Sequence, residues 1–501
     1  MKPVALILAS ILVISSNMTS SKNKVANATS NDLIIQNITV ISSERNVPLD
    51  HAFVRVRLGR IVELSTTKIV PDKNDRVVDG WGKYLIPGLM DSHVHLKYMP
   101  GIAFGDNGPL NSLKYLQKSF EVQQPRSYLY HGFTQLLDTA ASPGSLKIFN
   151  QQALKPEVFF CGATPIIGGY PTVFSNNDEL SMHQFPYFVN QQIAGESLSK
   201  EVDLSLHTPE KVIPQMKKDG AICNKIHIED GFGEKTGWPM LSNENITRLQ
   251  SEAHKNQLKQ IAHANAFDMQ LIAEKQNVDV IAHGMWNWTG HTGEKTIPDE
   301  IKALLDRIIN KNIAFQPTSS VMIGLRDTTA GIDIDTPAYR NVTPKTLMEY
   351  YASEKGRWFQ KEMIKEFGDL PADKRYEIQT MISEQGDKVI KYLAENGGTI
   401  LLASDTPSSP VYVSQPGLTS YQEMVHLAHI GIPLKMILAS ATINNAKAFD
   451  LDDDYGTIET GKIANLLILN ENPLESVSAY DEIDKIILRG KIIPRNSLKA
   501  N

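Results

Sequence analysis

The stretch Pro87-Gly88-Leu89-Met90-Asp91-Ser92-His93-Val94-His95-Leu96 decides the reading of this chain. Pro87-Gly88 marks an entry, and the apolar run that follows reads as a strand. Side chains alternate faces along a strand, so His93 and His95 point the same way. Two imidazoles one pleat apart can chelate a single divalent ion through neutral nitrogens. An isolated H-x-H pair is weak evidence. Its place at the end of an apolar strand gives it weight.

Outward from this strand, short apolar runs alternate with polar amphipathic stretches as far as Asp450. That alternation belongs to repeated βα units on a parallel sheet. The candidate strands are Leu85–Leu96, Thr134–Asp138, Glu157–Ala163, Cys223–Glu229, Gln260–Ala264, Val278–His283, Asn312–Pro317 and Thr399–Asp405. Eight units in roughly 360 residues fit a (β/α)8 TIM barrel with insertions, the longest being Ser319 to Gly398. Before the barrel, Leu33–Ile35, Ile38–Ile41, Ala52–Val56 and Ile61–Leu64 are short β-rich runs broken by turn residues. Gly456–Ile458, Ala464–Leu469 and Ile483–Ile493 mirror them at the far end. The expected architecture is α/β: a barrel over 87–454 and a small composite β-sandwich domain built from 32–86 plus 455–495.

The 501 residues are 42% hydrophobic and 21% charged, enough for a large core. A net charge of −6 argues against a nucleic-acid binder, which needs a basic surface to meet phosphates. The only cysteines, Cys161 and Cys223, exclude a disulfide framework and a thiolate zinc cluster. A single bridge between them is one reading; the favoured one is two small buried apolar side chains. Met1-Lys2, the apolar run Pro3 to Ile14 and the polar exit Ser15 to Ser21 read as a secretory signal, with a disordered spacer over 22–31. The run falls short of the ~20 residues of a membrane span, and no other stretch is long and apolar enough. The expectation is export to the periplasm or medium, with no stable membrane span once the signal is removed.

Other polar residues fall where strands close. His263 ends Lys259–His263, His283 ends Val278–His283, and Asp405 ends Thr399–Asp405. Lys225 lies within Cys223–Glu229, on one face with His227 and Glu229. Each histidine alone fits a satisfied core or surface residue. Several such groups at separate strand mouths, after an H-x-H strand, are explained together by a shared metal centre. The loop Ile166 to Thr172 leaves Tyr170 with two readings, a substrate-binding hydroxyl or a tyrosine packed beside a turn. Trp286 and Trp288 follow His283, either lining a substrate pocket or covering the barrel rim.

With these residues in place, the chain resembles the amidohydrolase superfamily, in particular its imidazolonepropionase-like and prolidase-like branch. The resemblance runs from about Asp32 to Ile493 and includes the tail Gly461-Lys462-Ile463-Ala464-Asn465-Leu466. It implies a barrel with one or two zinc ions at its mouth. His93, His95 and Asp405 match the ligands of a first metal, and His263 and His283 those of a second. Lys225 matches a strand-four lysine that becomes carboxylated and bridges both. If Lys225 is unmodified, one metal held by His93, His95, His263 and Asp405 is the alternative. The implied activity is hydrolysis of an amide or peptide-like C–N bond by metal-activated hydroxide, with Asp405 as proton shuttle. Competing readings keep the site for a cyclic amide, lactone or phosphotriester, or make the chain a non-catalytic exported metal- or ligand-binding protein. The expected partner is a small-molecule substrate; homo-oligomerisation is left open.

Overall fold

The computed structural model describes residues 31–102, 113–175, 177–191, 202–232, 235–291 and 293–501. The expected signal segment, and the spacer apart from Asn31, lie outside the described residues. Seven strands form a sheet in sequence order: β1 (Leu89–Val94), β2 (Phe133–Asp138), β3 (Glu157–Ala163), β4 (Cys223–His227), β5 (Lys259–His263), β6 (Val280–Ala282) and β7 (Ala314–Gln316). Every neighbouring pair is parallel. The segment 399–406 closes the sheet into a barrel. It bridges β7 through Phe315 and Ile400 and β1 through Val94 and Thr406, both in parallel sense. Leu401 N donates to Phe315 O (2.9 Å), and Ser92 N donates to Leu402 O (3.0 Å). The expected eighth strand is thus a bridging segment, tied to its neighbours by a few backbone bonds rather than along a full ladder.

The run Leu85–Leu96, read as one strand, is two. Tyr84–Pro87 belongs to a second sheet and β1 to the barrel. The break falls at Gly88, where a Cβ would sit 2.0 Å from Thr134 Oγ1, so only glycine fits the crossing. The second sheet joins the two chain ends, as expected of a composite unit. Its order is Lys491–Pro494, Ile483–Leu488, Leu466–Leu469, Tyr84–Pro87, Leu33–Val40, Leu49–Arg57 and Arg60–Ser65, with Arg76–Asp79 beside Leu33–Val40. Leu466–Leu469 runs antiparallel to Tyr84–Pro87 and is the junction. The sheet curls until its edge meets the chain again, Ile61 N donating to Lys462 O (2.9 Å). Ile35, Val54, Leu85 and Ile468 share the core so enclosed.

Helices cover the barrel because their apolar residues recur at helical spacing. Asp299–Asn310 buries Ile301, Leu304, Leu305 and Ile308, a single stripe. Each such side chain contributes about 1.5–3 kcal/mol when removed from water. The long insertion carries the helices Ser320–Ala330, Lys345–Ala352, Trp358–Glu366 and Ala372–Glu395. It is pinned over the loop after β1, where Tyr351 Oη donates to Pro100 O (2.7 Å) and Trp358 Nε1 to Gly101 O (3.0 Å). Among the described residues no helix is long and apolar enough to cross a membrane.

The cysteines correct the reading made from sequence. Cys161 and Cys223 form a disulfide, with Cα atoms 4.4 Å apart. They are register partners on adjacent parallel strands, β3 and β4. They belong to the same buried cluster as Met90, Leu137, Ile261 and Val280. Register is what brings them together, and a sequence separation of 62 hides it in the sequence. Loss of this cross-link frees a long loop in the unfolded chain. The double variant Cys161→Ala/Cys223→Ala is expected to lose about 2–4 kcal/mol of stability in urea unfolding under oxidising conditions. An unchanged midpoint and slope would show that the bond does not constrain the unfolded chain.

Candidate metal centre and active site

The barrel delivers its polar residues to one end. His93 lies on β1 and His95 just beyond it. Asp405 lies in the closing segment, His263 at the end of β5 and His283 just beyond β6. The seam between β1 and the closing segment sets the first group. Asp405 N donates to His93 O (2.8 Å), and His95 N donates to Thr406 O (2.9 Å). Asp91 locks the same seam from beneath. Its carboxylate accepts from His93 N and Ser404 N (3.1 Å each), and from the hydroxyls of Ser404 and Ser420. Burial raises the Asp91 pKa to about 6 against these bonds, so the anchor is costly to ionise and is held by four donors.

At this seam His93, His95 and Asp405 offer ligand atoms that all lie within 4.8 Å of one another. Asp405 Oδ1 is 2.9 Å from His95 Nε2 and 3.4 Å from His93 Nε2. Burial would push the Asp405 carboxyl up, but its electropositive neighbours His93, His95 and Lys225, with a bond to His95, hold it well below the usual carboxylate range. The other histidine rings crowd in, with His93 and His283 centroids 5.1 Å apart and His263 and His283 4.4 Å apart. His283 Nδ1 is 3.6 Å from Asp405 Oδ2. Lys225 Nζ lies 3.5 Å from His93 Nε2, and burial brings its pKa down to about 7. Burial also holds His93 and His283 well below the usual imidazole range, with neighbouring cationic groups adding to it. Neutral imidazole is the form that binds a cation.

All six residues named as ligands therefore meet at one mouth, with the tightest grouping at His93, His95 and Asp405. Their surroundings fit a cation. His95 Nδ1 is buried without a hydrogen-bond partner, and Asp405 Oδ1 faces imidazole nitrogens, His95 Nε2 at 2.9 Å and His93 Nε2 at 3.4 Å. Imidazole nitrogens and a carboxylate oxygen gathered this closely are the donor set that a divalent cation takes.

Three supporting side chains were not singled out from sequence. Gln316, at the end of β7, donates through Nε2 to Ser92 O (2.8 Å) and Ser92 Oγ (3.0 Å). Its Oε1 is left to accept from His93 Nδ1 at 3.0 Å, which fixes the His93 tautomer with the Nε2 lone pair facing Asp405. Thr318 Oγ1 lies 3.0 Å from His283 Nδ1. Glu229, noted only for sharing a face with Lys225, is buried, and its Oε2 lies 3.2 Å from His263 Nε2. His283, Thr318 and Asp405 all take positive φ (82°, 48° and 53°). That backbone costs about 1–3 kcal/mol per residue and aims these strand-end side chains inward. The only sequence signal for Gln316 and Thr318 is that they flank the close of a barrel strand.

Tyr170 and Trp286 stand on two sides of the histidines. The Tyr170 ring is 4.6 Å from the His263 ring, and that of Trp286 is 5.9 Å from His283. Trp286 is wedged against Gly386 of the insertion, where a Cβ would lie 2.6 Å from its Cδ1. Trp288 is wholly buried, with Nε1 donating to Met285 O. It is a core residue.

Imidazoles and a carboxylate gathered at the C-terminal ends of the strands stand where a (β/α)8 barrel enzyme carries its active site. The chain belongs to the amidohydrolase family, whose profile matches residues 84–493. It is an enzyme of the hydrolase class. It is 28% identical over 102 residues to a 5-methylthioadenosine/S-adenosylhomocysteine deaminase from Halalkalibacterium halodurans, a match covering 20% of this chain and 23% of that relative. Among solved structures it is similar to a Xaa-Pro dipeptidase with methionine bound in the active site (19% identity, TM-score 0.62, 92% of this chain and 100% of that one). It is also similar to molinate hydrolase (18% identity, TM-score 0.63, 93% and 95%). At these identities the likeness to the solved structures is one of fold.

Because Gln316 orients His93, Gln316→Leu is expected to weaken binding of an added divalent cation at this candidate site about ten- to hundredfold, read by competition with a chromophoric chelator. Unchanged affinity would remove Gln316 from the site.

Proposed function

We propose that the chain is a metal-dependent hydrolase that cleaves an amide or peptide-like C–N bond of a small substrate. The observation that carries this reading is the meeting of His93, His95 and Asp405, whose ligand atoms lie within 4.8 Å of one another with Asp405 Oδ1 facing both imidazoles. His93, His95 and Asp405 would hold one zinc ion, and His263 and His283 a second. When bound, such an ion polarises the substrate carbonyl and acidifies water.

The remaining chemistry belongs to the chain. Asp405 is ionised at neutral pH and sits at the centre of the cluster. It accepts a proton at a carboxylate oxygen as water attacks and returns it to the departing nitrogen. Thr318 and Gln316 keep the His283 and His93 rings from turning, so the groups around the scissile bond stay in place. We further propose that Lys225, as a carbamate, would help hold the cations. A pKa near 7 leaves a substantial share of neutral amine at neutral pH. That amine adds carbon dioxide and releases one proton. The short polar contact to His93 puts Lys225 in reach of the cluster.

The names of the similar proteins support a C–N bond over the ester and phosphotriester readings, since a dipeptidase and a deaminase both break one. Export is proposed from the signal-like start of the sequence. The Cys161–Cys223 disulfide is consistent with it, because such bonds persist in oxidising compartments.

Chelation is expected to abolish amide hydrolysis, and added zinc to restore it. Asp405→Asn is expected to lower kcat by about a hundredfold or more in the zinc-loaded protein. Full activity in the chelated protein, or in Asp405→Asn, would overturn the reading.

A further inference from the structure

A group of aromatic side chains beside the histidines takes no part in the chemistry above. Tyr170 and Phe174 follow β3; Phe232 and Trp238 follow β4. Phe232 sits on a short strand, Gly231–Phe232, that pairs antiparallel with Lys235–Thr236. The Phe232 ring is 5.2 Å from both Tyr170 and Trp238. Phe174 is 5.4 Å from Trp238 and 5.9 Å from Tyr170. Two loops from neighbouring strands thus build one continuous aromatic surface. It runs into the site, with Tyr170 5.6 Å from His227 and 4.6 Å from His263, and Phe232 6.5 Å from His263.

Exposure separates this surface from loop packing. Phe174 is 60% exposed and Phe232 38%, whereas Trp288 lies in the core, wholly buried. Large apolar side chains exposed together, continuous with a catalytic cleft, mark a place where something apolar docks. The charges beside it narrow the choice. Glu229 and Asp230 directly precede Gly231–Phe232, and Asp268 is close enough to act on Asp230. An anionic substituent would meet carboxylates there.

We propose that the β3–β4 side of the mouth is a subsite for an uncharged aromatic substituent of the substrate, seated on Tyr170, Phe174, Phe232 and Trp238. This rests on the hydrolase reading and gives that site its substrate class: amides carrying an aryl group on one side of the scissile bond, without a negative charge on that arm. A ring laid on this surface removes its own apolar area and that of Phe174 and Phe232 from water. It also gains edge-to-face contacts with the rings already there.

The test uses the zinc-loaded full chain and two neutral probes, N-benzylacetamide and N-methylacetamide, with dissociation constants from ligand-observed NMR. The benzyl compound is expected to bind about tenfold tighter or more. Phe174→Ala and Phe232→Ala replace exposed side chains outside the catalytic cluster. Each is expected to shrink that ratio about threefold to tenfold, with zinc content and melting temperature held. Equal binding of the two probes, or a ratio that neither variant changes, would overturn the subsite. A zinc-loaded protein that shows the ratio yet hydrolyses no amide would overturn the amide reading alone, because the binding measurement does not depend on turnover.

Discussion

The seam that closes the barrel is the constraint on which the rest depends. β1 and the segment 399–406 are separated by some 300 residues of sequence, and they touch through a few backbone bonds rather than a full ladder. Asp91 makes those few bonds sufficient. One carboxylate grips the backbone of His93 on one side and Ser404 on the other, with Ser404 and Ser420 hydroxyls completing its shell. Because His93, His95 and Asp405 each lie within two residues of a seam contact, closing the barrel and assembling the cation site are one event. A chain that failed to close would hold two histidines and a carboxylate with nothing in common.

The same economy extends around the mouth. Gln316 spends its amide nitrogen on Ser92, on the strand that carries His93, and its oxygen on the His93 ring. One side chain therefore joins β7 to β1 and sets a tautomer. His283, Thr318 and Asp405 accept left-handed backbone at the strand ends. Glycine would relax there but could supply no ligand. The stability that offsets this strain comes from below, where Met90, Leu137, Ile261, Val280 and the Cys161–Cys223 bond fill the barrel. The apolar floor and the polar mouth are built from the same strands. β4 shows this in one run, with Cys223 in the floor and Lys225 and His227 two and four residues on.

Much of this was legible in the sequence. The H-x-H pair is local, so its geometry follows from strand pleating alone. His263, His283 and Asp405 were found because each ends an apolar run of strand length. What could not be read depends on relations between strands. The Cys161–Cys223 bond needs register, and the bonds from Glu229 to His263 and from Gln316 to His93 need side-chain direction across neighbours. Gly88 splits one apparent strand into two sheets, a division that apolarity does not mark. Trp286 and Trp288 read alike in sequence, yet one flanks the site and the other lies in the core. The aromatic surface was visible only in part, as Tyr170, because its other rings come from a second loop.

The central claim is that His93, His95 and Asp405 share one bound cation. Anomalous diffraction from crystals of the zinc-loaded protein, recorded on both sides of the zinc edge, tests it directly. The account expects a peak about 2.0–2.2 Å from a nitrogen of His93, a nitrogen of His95 and an oxygen of Asp405. Fully loaded crystals without a peak there, with the three side chains bonded to one another instead, would contradict it.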